Sequence, residues 1–243
     1  QTNKIKTQER KKKVLFLSPL PLPYYGSAMS SEMCLKILKN SKDFQVENIK
    51  LNYSKEMSDL GKINKNKIKG ISEVKKQIKQ KLENFKPDLI YFVPATSGLG
   101  LIRDFLFIRK IKKYTKKTNK KILFHVRSRT IKNPFNNLLY KKMFKGERAI
   151  VLGEQLIKDV SPWIKKENIF ILPNAIKNEV TKKQFQEIIK QREKRQTKNN
   201  NPELNILFLS NMDKTKGWPK LLEACKILNK KNKKNQDNKE KEK

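Results

Sequence analysis

The segment His-Val-Arg-Ser-Arg, residues 125–129, gathers the side chains best suited to chemistry in this chain. His125 is the only histidine, and an imidazole can give or take a proton near neutral pH. Arg127 and Arg129 follow on alternate positions, and guanidinium groups so spaced suit an anionic ligand. A second group is Lys216-Gly217, which opens a helix-like pattern. A helix N-terminus offers unpaired N–H groups and a positive dipole end, and a lysine adds a full charge, a combination that suits a phosphate. A third is Tyr25-Gly26-Ser27, at the end of the proline-rich stretch "SPLPLPYYGS", where glycine permits a close backbone approach. Each group also has an ordinary use: a histidine closing a strand, surface arginines, a glycine before a helix.

These residues need elements to hold them. Val14–Ser18 is short, apolar and followed by turn residues, so it is expected to be a buried strand. Ser27–Asn40 carries Met29, Met33 and Ile37 at helical spacing, with Ser27 or Ser30 as the expected cap. Strands are expected at Phe44–Asn52, Lys86–Ala95, Lys120–Val126, Ala149–Gly153 and Asn168–Asn174. Between them lie helical patterns at Asn66–Phe85, around Arg103–Lys117, at Asn133–Phe144 and around Glu154–Val160. Strand and helix alternate, which predicts an α/β fold with a parallel sheet and helices on both faces. Ligands of open parallel sheets bind beyond the carboxyl ends of the strands. The segments there are "PLPLPYYGS", "PATSGLG", "HVRSR", "GEQ" with Glu154, and "PNA" with Asn174.

The chain's 243 residues are read as a basic, disordered arm at 1–12, a first domain at 13–180 and a basic helix and linker at 181–203. The opening strand–loop–helix of a second domain follows at 204–229, its strand at Leu204–Ser210. A low-complexity charged tail at 230–243 is expected not to fold. One strand–helix unit cannot bury its own apolar face, so the second domain is expected to be cut short. The start at Gln1 rather than Met also suits a fragment. The net charge of +35 lies mostly between residues 14 and 229, which suggests a biased composition or contact with an anionic membrane. The lysine-rich outer face of Asn66–Phe85 is one candidate for that contact. Aromatic residues fall in apolar strands and helix faces rather than among the basic runs, which argues against nucleic acid.

Several chemistries lack their motifs. There is no G-x-G-x-x-G after the first strand, no G-x-x-x-x-G-K-[ST], no Asp-x-Asp pair, no nucleophile elbow and no Cys/His spacing for zinc. Cys34 and Cys225 are expected to be buried reduced thiols, which suits a cytosolic location. Prolines 19, 21 and 23 interrupt the first apolar run and argue against a secretory leader.

Taken in order, "VLFLSPLPLPYYGS", "FKPDLIYFV", "KILFHV", "AIVLGEQL", "NIFILPNAI" and "NILFLSNMDKTKGWPKLLEAC" resemble the GT-B glycosyltransferases of family 4 over residues 12–229. The resemblance implies two Rossmann-like domains and transfer of a sugar, with retained configuration, from a nucleotide diphosphate donor linked to UDP or GDP. It implies no metal and no cofactor, and a glycan or lipid-linked acceptor, with the protein cytoplasmic or peripheral on the inner face of the membrane. It casts His125 against the transferred sugar, and Gly26, Ser27, Lys216 and Gly217 near the donor phosphates. Asn211 stands where the family often has arginine, removing one cationic contact. Tyr25, Arg127, Arg129, Glu154 and Asn174 fall at positions for acceptor or sugar contacts. Most of the donor site belongs to the second domain beyond Lys216, so the chain is expected to bind donor poorly and to transfer slowly. Alternatives are a non-catalytic basic module that binds anionic membrane or nucleic acid, and another GT-B-like enzyme such as a sugar-phosphate epimerase.

Overall fold

A computed structural model describes residues 10–22, 24–51, 65–175, 179–198, 206–210 and 216–241, and the side chains at 65–68, 195–198 and 232–241 lie outside the description. The order of elements is β1 (Lys12–Ser18), α1 (Gly26–Asn40), β2 (Phe44–Lys50), α2 (Lys65–Asn84), β3 (Leu89–Phe92), α3 (Gly98–Thr118), β4 (Lys121–Val126), α4 (Pro134–Phe144), β5 (Arg148–Val151), α5 (Ile157–Val160), β6 (Ile169–Ile171), α6 (Lys182–Lys198) and α7 (Trp218–Lys241). The chain divides into two units, Gln1–Lys177 and Asn178–Lys243.

In the first unit six strands form one all-parallel sheet in the order β2-β1-β3-β4-β5-β6. Alternate residues sort to opposite faces, as the pleat requires. Leu15, Leu17, Ile90, Phe92, Ile122, Phe124, Ala149 and Val151 enter the larger core, which α2, α3 and α4 cover with Ile78, Leu82, Phe107, Ile111, Tyr140 and Phe144. Val14, Phe16, Tyr91 and Val93 face the other way, where α1 supplies Leu35 with Cys34 and Leu38 beside it. One helix on one face, and α2 to α5 on the other, follow from the strand order. The chain leaves β1 toward one edge, then crosses back over it from β2 to β3 and continues outward, and the right-handed rule for parallel crossovers then puts α1 on the face opposite the later helices.

The elements end for local reasons. Asn133 caps α4 by accepting from the Asn136 amide at 2.7 Å, with Pro134 at the first helical position. At α1 the cap is Tyr25, whose side chain makes no capping bond, and neither Ser27 nor Ser30 takes that role because both lie inside the helix. A Cβ on Gly100 would stand 2.8 Å from that of Ala95, so glycine lets α3 pack tightly on the segment after β3.

The second unit corrects two expectations. Residues 206–210 form no strand, and Leu209 is 90% exposed. A strand needs a neighbour for its ladder, and no other strand is described in this unit. Residues 204 and 205 lie outside the description. The charged tail expected not to fold instead continues α7 to Lys241. Its lysines, its glutamates and Gln236 are good helix formers, and it holds neither Gly nor Pro to stop the helix. The arm at 1–9 lies outside the described residues.

Candidate functional site

The strand order reverses direction between β1 and β3, and at such a point the loops diverge and leave a crevice at the carboxyl edge. The strand pairing sets Phe92 opposite both Leu17 and Phe124, so Ser18, Val93 and His125 stand level across β1, β3 and β4. All three continue the row that faces α1. Ser18 and His125 are both buried there, and α1 and α3 both begin at this edge.

His125 is 1% exposed. Its Nδ1 accepts from the Tyr91 hydroxyl and, at 3.3 Å, from Arg127 Nη2. An arginine can only donate, so Nδ1 carries the lone pair and the ring proton sits on Nε2. Burial first, and then the Arg127 charge, push the imidazole down to about 3. The ring is therefore neutral at physiological pH. Nε2 is a buried N–H donor with no partner among the described residues, and Ser18 Oγ is likewise buried and unbonded. Burial pushes the Tyr91 hydroxyl well above its ordinary range, so it stays protonated and donating.

Arg127, expected at a position for acceptor or sugar contacts, is half-buried and bonds within the protein through both terminal nitrogens, while its Nε has no partner among the described residues. Its Nη1 donates to the Ser27 carbonyl at 2.7 Å and to Ser31 Oγ at 2.9 Å, and its Nη2 lies 3.8 Å from Cys34 Sγ. The guanidinium fork matches the acceptors offered by the first turns of α1, and burial there makes those bonds costly to exchange for a ligand. Cys34 is half-buried rather than fully buried, because it packs at the edge of the smaller core, beside this polar cluster; Cys225 is half-buried too.

The other expected residues divide into two sets. Asn174 joins the cluster: its Oδ1 accepts from Ser30 Oγ at 2.9 Å, linking the segment after β6 to α1. Gly26 is exposed at the start of α1, and a Cβ there would meet no atom within 4 Å. The fold itself therefore does not demand glycine at this position. Tyr25 is half-buried, and burial pushes its hydroxyl up while the nearby Arg103 charge opposes that. Arg129 and Glu154 are exposed at the same edge with no hydrogen bond to the cluster. In the second unit Lys216 is exposed, and Gly217 has φ +91°, a conformation that favours glycine, just before α7. Asn211 lies outside the described residues.

Sequence reasoning missed Tyr91, Arg103 and Asp104. Asp104 is fully buried on α3; its Oδ2 accepts from the Ala95 amide and its Oδ1 from Arg103 Nε and Nη2, each at 2.8 Å. It pins the segment after β3 and holds Arg103 beside Tyr25. Thr96 Oγ1 and Ser128 Oγ, 2.7 Å apart, tie that segment to the one after β4, and Tyr140 donates to the Thr96 carbonyl. The available signal was an acidic residue set among apolar ones on the inward stripe of a helix: Leu101, Asp104, Phe107, Ile108.

No protein-family model matches this sequence, and no curated protein matches it significantly. The chemistry must be read from the residues. The described residues include no group of three His, Cys, Asp or Glu able to hold a metal ion. His125 cannot serve as a base near neutral pH, since its basic nitrogen is occupied and its proton affinity is low. What the cluster offers is a fixed N–H donor, a neighbouring hydroxyl, and helix N-termini flanked by arginine. Those features suit hydrogen bonding to a hydroxylated, anionic ligand. No described helix is long and apolar enough to cross a membrane.

Proposed function

We propose that this chain carries the acceptor-side half of a GT-B sugar-transferring site, with a nucleotide diphosphate sugar as donor and a glycan or lipid-linked molecule as acceptor. The observation that carries the reading is His125, held neutral with an uncommitted Nε2–H at the strand-switch edge. A neutral donor can hold a sugar hydroxyl without competing for the charged phosphates. The exposed start of α1 at Gly26 leaves room for a ligand close to the backbone. Arg103, ion-paired with Asp104 at 2.8 Å, adds a guanidinium at that edge, a role the sequence assigned to Arg127 and Arg129. As the bond to the sugar breaks, the diphosphate gains charge. In the second unit, taken by itself, Lys216 and Gly217 precede a helix N-terminus, a combination that suits an anionic phosphate. His125 is buried, so a sugar reaches it only when the residues over it move. In this reading the protein works at the inner face of the cell membrane.

Saturation-transfer NMR with a panel of UDP- and GDP-linked sugars tests this. At least one donor is expected to bind the full chain, and His125→Ala should weaken the signals of its sugar protons more than those of its base. Silence across the panel, or binding unchanged in His125→Ala, would overturn the reading. A second reading, a non-catalytic module for an anionic partner, is favoured by a basic groove between α3 and α4. It expects no donor binding at all.

A further inference from the structure

The inner stripe of α3 is Leu101, Asp104, Phe107, Ile108 and Ile111, all buried. The outward stripe must then be everything opposite, at i, i+3, i+7, i+10, i+14 and i+17 from Leu99. It reads Leu99, Ile102, Leu106, Arg109, Lys113 and Lys116: three apolar residues, then three cations. The apolar three are 53%, 38% and 44% exposed. The α4 helix repeats the arrangement, with Phe135 and Leu138 exposed in its first half and Lys142 exposed in its last turn. The two helices pack side by side. Between their basic halves runs a groove of about 420 Å³, lined by Phe105, Arg109, Lys112, Lys113, Lys116 and Lys142 among others, with no carboxylate in its lining. The nearby Glu147 lies 3.4 Å from Lys112, and its Oε2 is taken by the Ile122 amide.

We propose that this outward face of α3 and α4 seats the chain on an anionic lipid bilayer. The exposed aliphatic end enters the interface, and the groove's cations meet headgroup phosphates. A face both aliphatic and cationic matches a bilayer interface, which presents apolar and anionic layers in sequence. Nucleic acid fits less well, because the flanking exposed side chains are mostly aliphatic and offer few rings for stacking. The α2 helix, rich in lysine as it is, shows no exposed apolar half among its described side chains: Val74, Ile78 and Leu82 are buried against the sheet. Both α3 and α4 begin where the strands end, so the apolar end of the face shares an edge with His125. A lipid-borne acceptor would be presented at that edge. The inference shares a membrane partner with the reading above and does not need its chemistry.

The test is co-sedimentation of the full chain with vesicles of phosphatidylcholine alone, or with about one third phosphatidylglycerol, and no nucleotide sugar present. The chain is expected to bind the anionic vesicles, and to lose about tenfold in affinity when salt rises from about 0.1 to about 0.5 M. Lys113→Glu with Lys142→Glu should lose about tenfold, and so should Ile102→Asp with Leu106→Asp. Lys75→Glu with Lys79→Glu, an equal charge change on α2, should change binding by less than about threefold. If the double aspartate variant melts early, Ile102→Ser with Leu106→Ser carries the same expectation. Equal binding to neutral vesicles, an equal loss in the α2 variant, or no loss in the apolar variants overturns the proposal. So does a single-stranded RNA whose binding drops in Lys113→Glu with Lys142→Glu while vesicle binding holds.

Discussion

Arg127 Nη1 donates to the carbonyl of Ser27 at 2.7 Å, so the end of β4 holds the first turn of α1. The same group reaches Ser31 and His125, and one side chain thereby couples the helix start to the imidazole. Arg127→Met keeps most of the stem but removes every one of these bonds. A hydrogen bond from a charged donor contributes about 1.5–3 kcal/mol, so this variant should lose at least about 2 kcal/mol in urea denaturation. Arg127→Lys should recover little, because a single ammonium cannot match a fork that spans Ser27, Ser31 and His125. Recovery by lysine to wild-type stability would show that charge alone matters here.

His125 is the chain's only histidine, so its NMR signals need no assignment. They should not titrate between pH 8 and 5, and the nitrogen shifts should show the proton on Nε2. The stability consequence has a definite sign. The folded imidazole resists protonation down to about 3, while the unfolded one takes a proton near 6.5. Acid therefore favours the unfolded chain, and this contribution is lost progressively as pH falls from about 6.5 toward 3. Between pH 7 and pH 5 the wild type should lose about 2 kcal/mol more than His125→Gln. Parallel losses in the two proteins would mean the ring is not held neutral. In Arg127→Met the titration should move upward yet stay below the ordinary histidine value, since burial remains the larger cause.

The strands were legible because a parallel sheet covered on both faces needs unbroken apolar runs: "VLFLS", "LIYF" and "ILFHV" all became strands. The run "NILFLS" has the same composition, yet residues 206–210 are not a strand. Composition records a residue's fitness for a sheet and says nothing of whether a neighbouring strand exists. The edge that gathers the site was legible too, because alternation of strand and helix fixes where the loops emerge. The division of labour among the arginines was not. Arg103 and Arg127 are the same residue type, and only packing shows that Arg127 is bonded to α1 while Arg103 stands by Tyr25. Ser27 was a reasonable cap by type, but the helix begins one residue earlier, and its position became internal.

Gly26 separates a structural from a functional glycine. Its Cβ would meet nothing within 4 Å, and its backbone is helical. Gly26→Ala should therefore fold as well as the wild type, with a melting temperature unchanged or slightly raised. If the start of α1 approaches a ligand, Gly26→Val should fold equally well and still weaken donor binding in the NMR assay. A drop in stability with alanine would mean that the glycine serves the fold, and the ligand argument at this position would fall.

Asp104 stands at the base of the segment that follows β3. Its carboxylate is fully buried, and burial pushes its proton affinity up while Arg103 and the Ala95 amide oppose that. A buried charge is tolerable only while its partners stay in place. Asp104→Ala strands the Ala95 N–H and leaves Arg103 without its carboxylate, which should cost about 3 kcal/mol. Asp104→Asn can still accept from Ala95 and should cost less, while releasing Arg103. Amide exchange distinguishes the two. The Ala95 amide should exchange at least about tenfold faster in Asp104→Ala than in the wild type, and far less so in Asp104→Asn. Equal exchange in all three proteins would mean that the segment is held by Thr96, through Ser128 and Tyr140, rather than by Asp104.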